Sequence, residues 1–442
     1  MKIPQKPPRL GDLLRGVGPD RLLEILETAR PAASDGYPPW DKFRHLPTPP
    51  SLSLNEWWLG VKLSRLTALR PIPFLDTTGS PFKFGVPDPA LAMLRRIDRD
   101  ASGRIAIGEE VTNQATRDRY IISSLIEEAI TSSQLEGAST TRRVAKDMLR
   151  TGRPPRDKSE RMILNNYLAM RKIGGISSES LTPELVLDIH RVVTDGTLGN
   201  PQAAGRLQLP TEERVQVFDE RDLLLHAPPP AEELPGRLRQ MCDFANEEEG
   251  DVFIHPVMRA VILHFWLAYD HPFEDGNGRT ARALFYWSML HQGYWLAEFI
   301  SISRILKKAP AQYARAFLYT ETDDNDLTYF VLYQLDVIIR AIDDLHGYLA
   351  RKIDEIKTVE RLIRQVGEGL NHRQVALLSH ALRNPDARYT MQSHARSHNV
   401  VYETARSDLT ALAAKGLLSQ RKAGKAFVFH PVPDLAVRLR VS

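Results

Sequence analysis

The sequence predicts a mainly α-helical protein with one central β-hairpin and a C-terminal winged helix-turn-helix. Three observations predict it. From Thr116 onward apolar residues recur at helical spacing, with capping residues ahead of the runs and glycine or proline behind them. In the central region the runs Arg214–Phe218 and Leu223–Ala227 flank Asp219-Glu220-Arg221-Asp222, and Pro228-Pro229-Pro230 closes the unit as one hairpin. From Asn371 the pattern shortens to three helical runs and two alternating strands around the basic turn Arg421-Lys422-Ala423-Gly424-Lys425.

Composition sets the bounds. At 442 residues the chain exceeds one core, and 43 % apolar with 26 % charged residues suits a globular protein. The single cysteine, Cys242, excludes an internal disulfide and any multi-cysteine metal site. No apolar run approaches the ~18 residues of a membrane span, and the first eight residues lack the apolar core of a signal peptide. A cytoplasmic location and no membrane partner are expected. The net charge of +3 is uneven: from Asn371 onward there are 11 Lys/Arg and 4 Asp/Glu, so this block carries +7 and the rest −4.

Taken in order, residues 1–50 hold one helical run, Asp20–Thr28, and enough prolines to suggest an extended arm. Leu52–Leu69 reads as a helix capped by Ser51 or Ser53. Residues 70–117 read as loops and short elements with a helix at Pro89–Asp98. Thr116 starts a helix that runs to Glu136-Gly137, where glycine suits an end. Thr140–Leu149, Lys158–Ile173 and Thr182–Val193 follow, the last with Thr182 as N-cap and Pro183 in the first turn. After the hairpin come Glu232–Asn246, Pro256–Tyr269, Ala281–His291, Ala309–Tyr319 and a long run, Leu327–Val366, with room for one break. The C-terminal runs are Gln374–Leu382, Thr390–His398 and Tyr402–Lys415, with strands at Leu417–Gln420 and Ala426–His430. The domains expected are 1–115, an arm and helical region; 116–340, the main helical body; 341–370, a connecting helix; and 371–442, the winged helix.

The chemistry concentrates between His271 and Arg282. His271 is a candidate base, and Asp275 can hold a divalent cation. A Gly276-Asn277-Gly278 turn can aim backbone N–H groups at an anion, and it opens a helix whose amino end adds more donors. Arg279 and Arg282, three apart, share a helix face.

This stretch resembles the signature of the Fic family, His-x-Phe-x-(Asp/Glu)-Gly-Asn-Gly-Arg-x-x-Arg, at every specified position. Ile254–His264, Leu181-Thr182-Pro183 with His190-Arg191, and Ala204-Gly205-Arg206 with Arg214–Val217 resemble its flanking helices and flap. Ser132-Ser133-Gln134-Leu135-Glu136-Gly137 resembles the family's inhibitory motif, (Ser/Thr)-x-x-x-Glu-(Gly/Asn), placed ahead of the core. The resemblance implies a Fic core with a flap hairpin and transfer of AMP from ATP to a protein Ser, Thr or Tyr hydroxyl, the chain's own included, with release of pyrophosphate. His271 would be the base and Asp275 the Mg²⁺ ligand. Gly276, Asn277, Gly278, Arg279, Thr280, Ala281, Arg282 and Gln216 would bind ATP, with Val215, Val217 and Tyr313 at the adenine. Glu136 would form a bidentate pair with Arg282 and occupy the terminal-phosphate position, supported by Ser132 and Gly137. The flap, Val215–Leu225, would present the target by strand pairing.

Two other readings stay open: removal of AMP by the same site, and a DNA-binding regulator with a nucleotide-sensing core. Residues 371–442 would contact DNA with Tyr402–Lys415 in the major groove, although Glu403 and Asp408 on that run count against it. A homodimer is left open.

Overall fold

The computed structural model describes residues 3–34, 36–101, 114–218, 222, 224–246, 253–366, 370–383, 387–423 and 426–441. It divides into two compact units, Met1–Asp343 and Asp344–Ser442. Each is predominantly helical.

The first unit begins with α1 (Leu10–Leu14), α2 (Pro19–Ser34), α3 (Trp40–Phe43) and α4 (Leu54–Leu66). The expected extended arm is corrected here. Pro19 opens α2 and Pro39 caps α3, places where a missing N–H costs nothing. Ile25, Ala29, Trp40, Phe43, Trp57 and Trp58 then close into one buried cluster. Helices α2 and α4 approach so closely that a Cβ on Gly60 would stand 2.5 Å from that of Ala29. Ser53, not Ser51, caps α4, in a reciprocal box with Glu56. The hairpin β1 (Arg70–Leu75) and β2 (Pro81–Phe84) lays Phe74 on Phe82 and on Trp266 at centroid distances of 4.2 and 4.4 Å.

Helices α5 (Asp88–Ala101), α6 (Gln114–Leu135), α7 (Arg142–Thr151), α8 (Lys158–Ile176) and α9 (Pro183–Thr194) follow. Strands β3 (Val217–Phe218) and β4 (Leu224–His226) form the flap hairpin; residues 219–221 and 223 of the expected Val215–Leu225 flap lie outside the described residues. Next come α10 (Leu234–Asn246), α11 (Pro256–Asp270) and α12 (Asn277–His291). Every residue of α11 from Val257 to Leu267 is buried, as suits a helix apolar on all sides. Helix α12 lies beside α11 and packs on α8 and α9. Helices α13 (Ile302–Lys308), α14 (Pro310–Thr322) and α15 (Thr328–Val366) complete the series. The last is one unbroken helix, and the division between the units falls within it.

The second unit contains α16 (His372–Arg383), β5 (Tyr389–Thr390), α17 (Met391–His398), α18 (Tyr402–Ala414), β6 (Leu418–Ala423), β7 (Ala426–Pro431) and α19 (Leu435–Val441). Its antiparallel sheet has the order β5-β7-β6. Leu377, Leu378, Leu409, Leu412, Phe429 and Leu439 are among the residues that fill its core. Strand β5 and helix α19 escaped the sequence reading because one is two residues long and the other begins just past a proline pair. Among the described residues no helix is long and apolar enough to cross a membrane.

Candidate active site

The site is built on the loop between α11 and α12. Helix α11 ends because His271 turns left-handed (φ 44°, ψ 52°) and Pro272 follows. The loop is then locked from within: Asn277 donates its amide to the Phe273 carbonyl at 2.8 Å and accepts the Phe273 N–H at 3.0 Å. Phe273 is fully buried and stacks on His190 at 3.7 Å. The expected Gly276-Asn277-Gly278 turn is corrected. Only Gly276 is left-handed (φ 86°), a position where a Cβ would also strike Thr194 at 2.6 Å; Asn277 and Gly278 already belong to α12. Gly276 brings no side-chain cap, and Thr280 N–H is the first amide of α12 seen to reach a carbonyl, that of Gly276. The amides before it make an anion seat.

His190 holds the rim of this seat. Its Nε2 meets the Asp275 carbonyl at 2.9 Å and its Nδ1 meets the Gly205 N–H at 3.0 Å. A carbonyl only accepts and an amide only donates, so the ring is the neutral Nε2–H tautomer. Burial, which lowers its pKa to about 4, agrees. Only the family likeness of His190-Arg191 marked it in the sequence.

His271 is half-buried, with Nδ1 3.4 Å from the Ala268 carbonyl. Burial lowers its pKa to about 4, so at neutral pH the ring is uncharged and able to take a proton. Behind it Asp270 is buried against Arg237 Nε (2.7 Å) and Trp266 Nε1 (3.1 Å). Burial pushes the Asp270 carboxyl up to about 6, outweighing the pull of Arg237. Arg214 donates to the carbonyls of Asp270 (2.8 Å) and His271 (3.2 Å), and so ties the foot of the flap to the base. From β4, His226 places one ring nitrogen 2.6 Å from the Tyr269 carbonyl and the other 2.7 Å from Glu321 Oε2. Neither Asp270 nor His226 carries a motif that sequence reading could have used.

The two arginines part company. Arg279, with no exposed surface, donates to the Val193 carbonyl (3.0 Å) and reaches Asp275 Oδ1 at 3.4 Å; its Nε has no partner among the described residues. Arg282, 1 % exposed, turns the other way, onto α6. Its Nε donates to Ser132 Oγ (2.8 Å), and its Nη2 to the Ser132 carbonyl (3.0 Å) and Glu136 Oε1 (2.8 Å). The expected bidentate pair is therefore corrected: Glu136 offers one oxygen to Nη2, while Ser132 takes Nε and shares Nη2. Glu136 nevertheless lies over the anion seat. A Cβ on Gly278 would stand 2.2 Å from its Oε1. Gly137, at φ 89°, ends the segment directly behind it.

The remaining predicted residues are less central. Thr280 and Ala281 are wholly buried, and the Thr280 hydroxyl is spent on the Gly276 carbonyl, so neither side chain is presented to a ligand. Val215 and Val217 are half-buried and Gln216 exposed, at the start of the flap. Tyr313 packs among Phe317, Phe330 and Tyr333, and its hydroxyl pairs with His264 Nε2 at 2.7 Å and also meets Arg282, so its polar end backs the arginine. Glu128 was missed. It is buried on α6 and accepts from Tyr286 Oη (2.9 Å), Ser301 Oγ (2.8 Å), Ser303 N (3.1 Å) and Ser303 Oγ. Its signal was legible: an acid inside the apolar stripe Leu125, Ile126, Ala129, Ile130.

Asp275 keeps 43 % of its side chain exposed, and no group of three His, Cys, Asp or Glu residues able to hold a metal occurs among the described residues. A single carboxylate beside an anion seat fits Mg²⁺ only where a ligand's phosphates complete the shell.

Residues 180–289, which carry the loop, both arginines and His190, match the Fic/DOC family model. That segment is a Fic domain. A protein adenylyltransferase Fic from Nematostella vectensis is 29 % identical over 205 residues, 46 % of this chain and 45 % of that protein. Protein adenylyltransferase fic-1 of Caenorhabditis elegans is 30 % identical over 182 residues, 40 % of this chain and 33 % of that one. The matches thus span less than half the length of these curated relatives. A crystal structure of a Fic family protein from Desulfovibrio desulfuricans superposes with a TM-score of 0.50 at 17 % identity, covering 78 % of this chain and 94 % of that one. That likeness places the Fic core of this chain within a fold shared beyond the matched segment.

Proposed function

We propose that the protein transfers AMP from ATP to a hydroxyl of a protein and that Glu136 restrains the transfer. The observation that carries the reading is a neutral His271 at the edge of an uncapped helix amino end that two buried arginines flank. His271 takes the proton of the target hydroxyl as its oxygen bonds to the α-phosphorus. The bond from that phosphorus to the bridging oxygen breaks, and pyrophosphate leaves. The first amides of α12 and Arg282 hold the phosphates, and Arg279 offsets charge on the leaving group. Asp275 would hold Mg²⁺, which supplies charge neutralisation at the phosphates. Phe218 and Leu224, opposite each other on the flap and 50 % and 45 % exposed, suit the docking of an extended target segment.

In this reading Glu136 is a ligand mimic. Its carboxylate takes one contact of Arg282 and the space in front of Gly278. The test is incubation of Glu136→Gly protein with labelled ATP, Mg²⁺ and a cell lysate, beside Glu136→Gly/His271→Ala. A labelled band that requires His271, with the mass of AMP rather than phosphate, is expected. Equal labelling of wild type and Glu136→Gly, or labelling without His271, would overturn it. Removal of AMP is the second reading, favoured by the 28 % exposure of the Glu136 side chain, which leaves it access to a water; loss of AMP from a pre-labelled target only when Glu136 is present would identify it.

A further inference from the structure

We propose that the second unit binds double-stranded DNA as a winged helix, with the outer face of α18 in the major groove and the β6–β7 hairpin on the phosphate backbone. The arrangement supports it. Helices α17 and α18 are joined by a short turn in which Asn399 is left-handed (φ 51°), and the hairpin follows α18 directly. In winged helices the second of two such helices reads base edges.

Of the two acidic residues that spoke against DNA, Asp408 is disposed of inside the unit and Glu403 stays exposed beside Arg406. Asp408 is 3 % exposed and receives Arg373 (2.7 and 3.1 Å), Asn371 (2.6 Å) and His394 (3.2 Å). It is a core anion, caged by four donors, and presents nothing to a phosphate. Asp434 is held by Arg438 at 2.9 Å, and Glu403 lies 3.6 Å from Arg406. Ala405, Leu409 and Leu412 turn α18 inward. That leaves Tyr402, Glu403, Arg406, Ser407 and Thr410 on its exposed face, a polar set suited to base edges, in which Glu403 can accept from a cytosine amino group.

The basic charge falls where the backbone would lie. Arg396 on α17 and Arg421 and Lys422 on β6 are exposed. Val401 caps α18 without a side-chain hydrogen bond, so the first amides of that helix add backbone donors. Val401 and Tyr402, 70 % and 55 % exposed, supply apolar contact at the turn. Charge complementarity, a net +7 from Asn371 onward against a polyanion, selects nucleic acid over a protein partner.

The test uses the full chain and a fluorescent mixed-sequence duplex, followed by anisotropy as salt rises. Binding is expected to weaken about 3.5-fold per phosphate contact for each fourfold rise in salt. The double variant Arg421→Glu/Lys422→Glu should lower the log–log salt slope by about 2. Arg406→Ala should weaken a duplex selected from a random pool by roughly tenfold with little change in slope. All three side chains are exposed, and an unchanged thermal midpoint confirms that the variants fold. Absence of duplex binding at the lowest salt, or binding indifferent to the reversed wing charges, would overturn the proposal. So would a protein partner, captured through Val401 and Tyr402, in place of any duplex.

Discussion

Gly278→Ala tests whether Glu136 and α12 compete for one space. Gly278 sits in the first turn of α12 with an ordinary helical backbone, so alanine alone should favour the helix by about 0.5–1 kcal/mol. The new Cβ would stand 2.2 Å from Glu136 Oε1 and 2.9 Å from its Cδ, closer than atoms pack. Glu136 is the flexible party, so it swings away and its 2.8 Å bond to Arg282 is lost. A hydrogen bond between charged groups contributes about 1.5–3 kcal/mol. Since the carboxylate is 28 % exposed, about 1.5–2 kcal/mol is the fitting range. Gly278→Ala should therefore destabilise the native protein by about 0.5–1.5 kcal/mol, yet stabilise Glu136→Gly protein by about 0.5–1 kcal/mol, a coupling of roughly 1.5–2 kcal/mol. Urea unfolding of the four proteins, followed at the first transition, measures it. Effects of the same sign and size in both backgrounds would refute the shared space. Transfer should stay low in Gly278→Ala even though Glu136 is displaced, because the methyl group now fills the phosphate approach.

The other predictions concern the groups around the base. His271 has its pKa lowered by burial to about 4, so its neutral, proton-accepting form persists down to that pH. The acid limb of kcat/KM, measured on Glu136→Gly protein, should fall no higher than about pH 4, because the Glu136 charge that raises the His271 pKa is gone; a limb near 6.5 would place the base in open solvent. His226 faces acceptors at both ring nitrogens, Glu321 and the Tyr269 carbonyl, with Asp270 nearby. Burial alone would lower its pKa, but the hydrogen bond and charge of Glu321 outweigh it, and the net direction is upward from 6.5. Its contribution is full below the unfolded pKa and is lost as pH rises through the raised folded value. The thermal midpoint should decline across that alkaline window in wild type, and His226→Gln should flatten this part of the curve. Glu128→Gln puts an amide donor among four donors. It should cost about 1–3 kcal/mol by unfolding and raise transfer, because α6 also carries Ser132.

The helical plan and the loop were legible because their causes are local. Thr182 caps α9 and Gly137 ends its segment as those residue types do anywhere. The spacing of His271, Asp275 and Arg282 likewise survives in any fold that puts a loop before a helix. What was not legible depends on approach over distance. Arg279 and Arg282, three apart, suggested one target, but the Val193 carbonyl and Ser132 draw them to different helices. The first fifty residues read as an arm because prolines were counted without their positions, and Trp40, Phe43, Trp57 and Trp58 supply a core that no single stretch contains. Asp408 looked like an exposed anion until folding brought Asn371, Arg373 and His394 around it.

The placement of Glu136 also says how little must move for the proposed restraint to lift. The described part of α6 is fastened from Glu127 to Ser133. Arg142 and Lys146 hold Glu127, four donors hold Glu128, and Ser133 Oγ reaches the Met162 carbonyl at 3.2 Å. Glu136 lies past the last helical residue, Leu135, in a turn closed by its own N–H on the Ser133 carbonyl (3.1 Å) and followed by left-handed Gly137. Its side chain can leave Arg282 without any of the fastenings of α6 being undone. Ser132 meanwhile stays on Arg282 through Nε and Nη2, so the guanidinium remains oriented when the carboxylate departs. The energy opposing an incoming phosphate is then that of one charge-assisted bond, not of a displaced helix. A triphosphate, with more charge and more oxygens than a carboxylate, is chemically suited to compete for that contact. A restraint built this way is graded by nucleotide concentration and by anything that shifts the Glu136–Gly137 turn, and the helix behind it serves as the fixed wall against which the switch works.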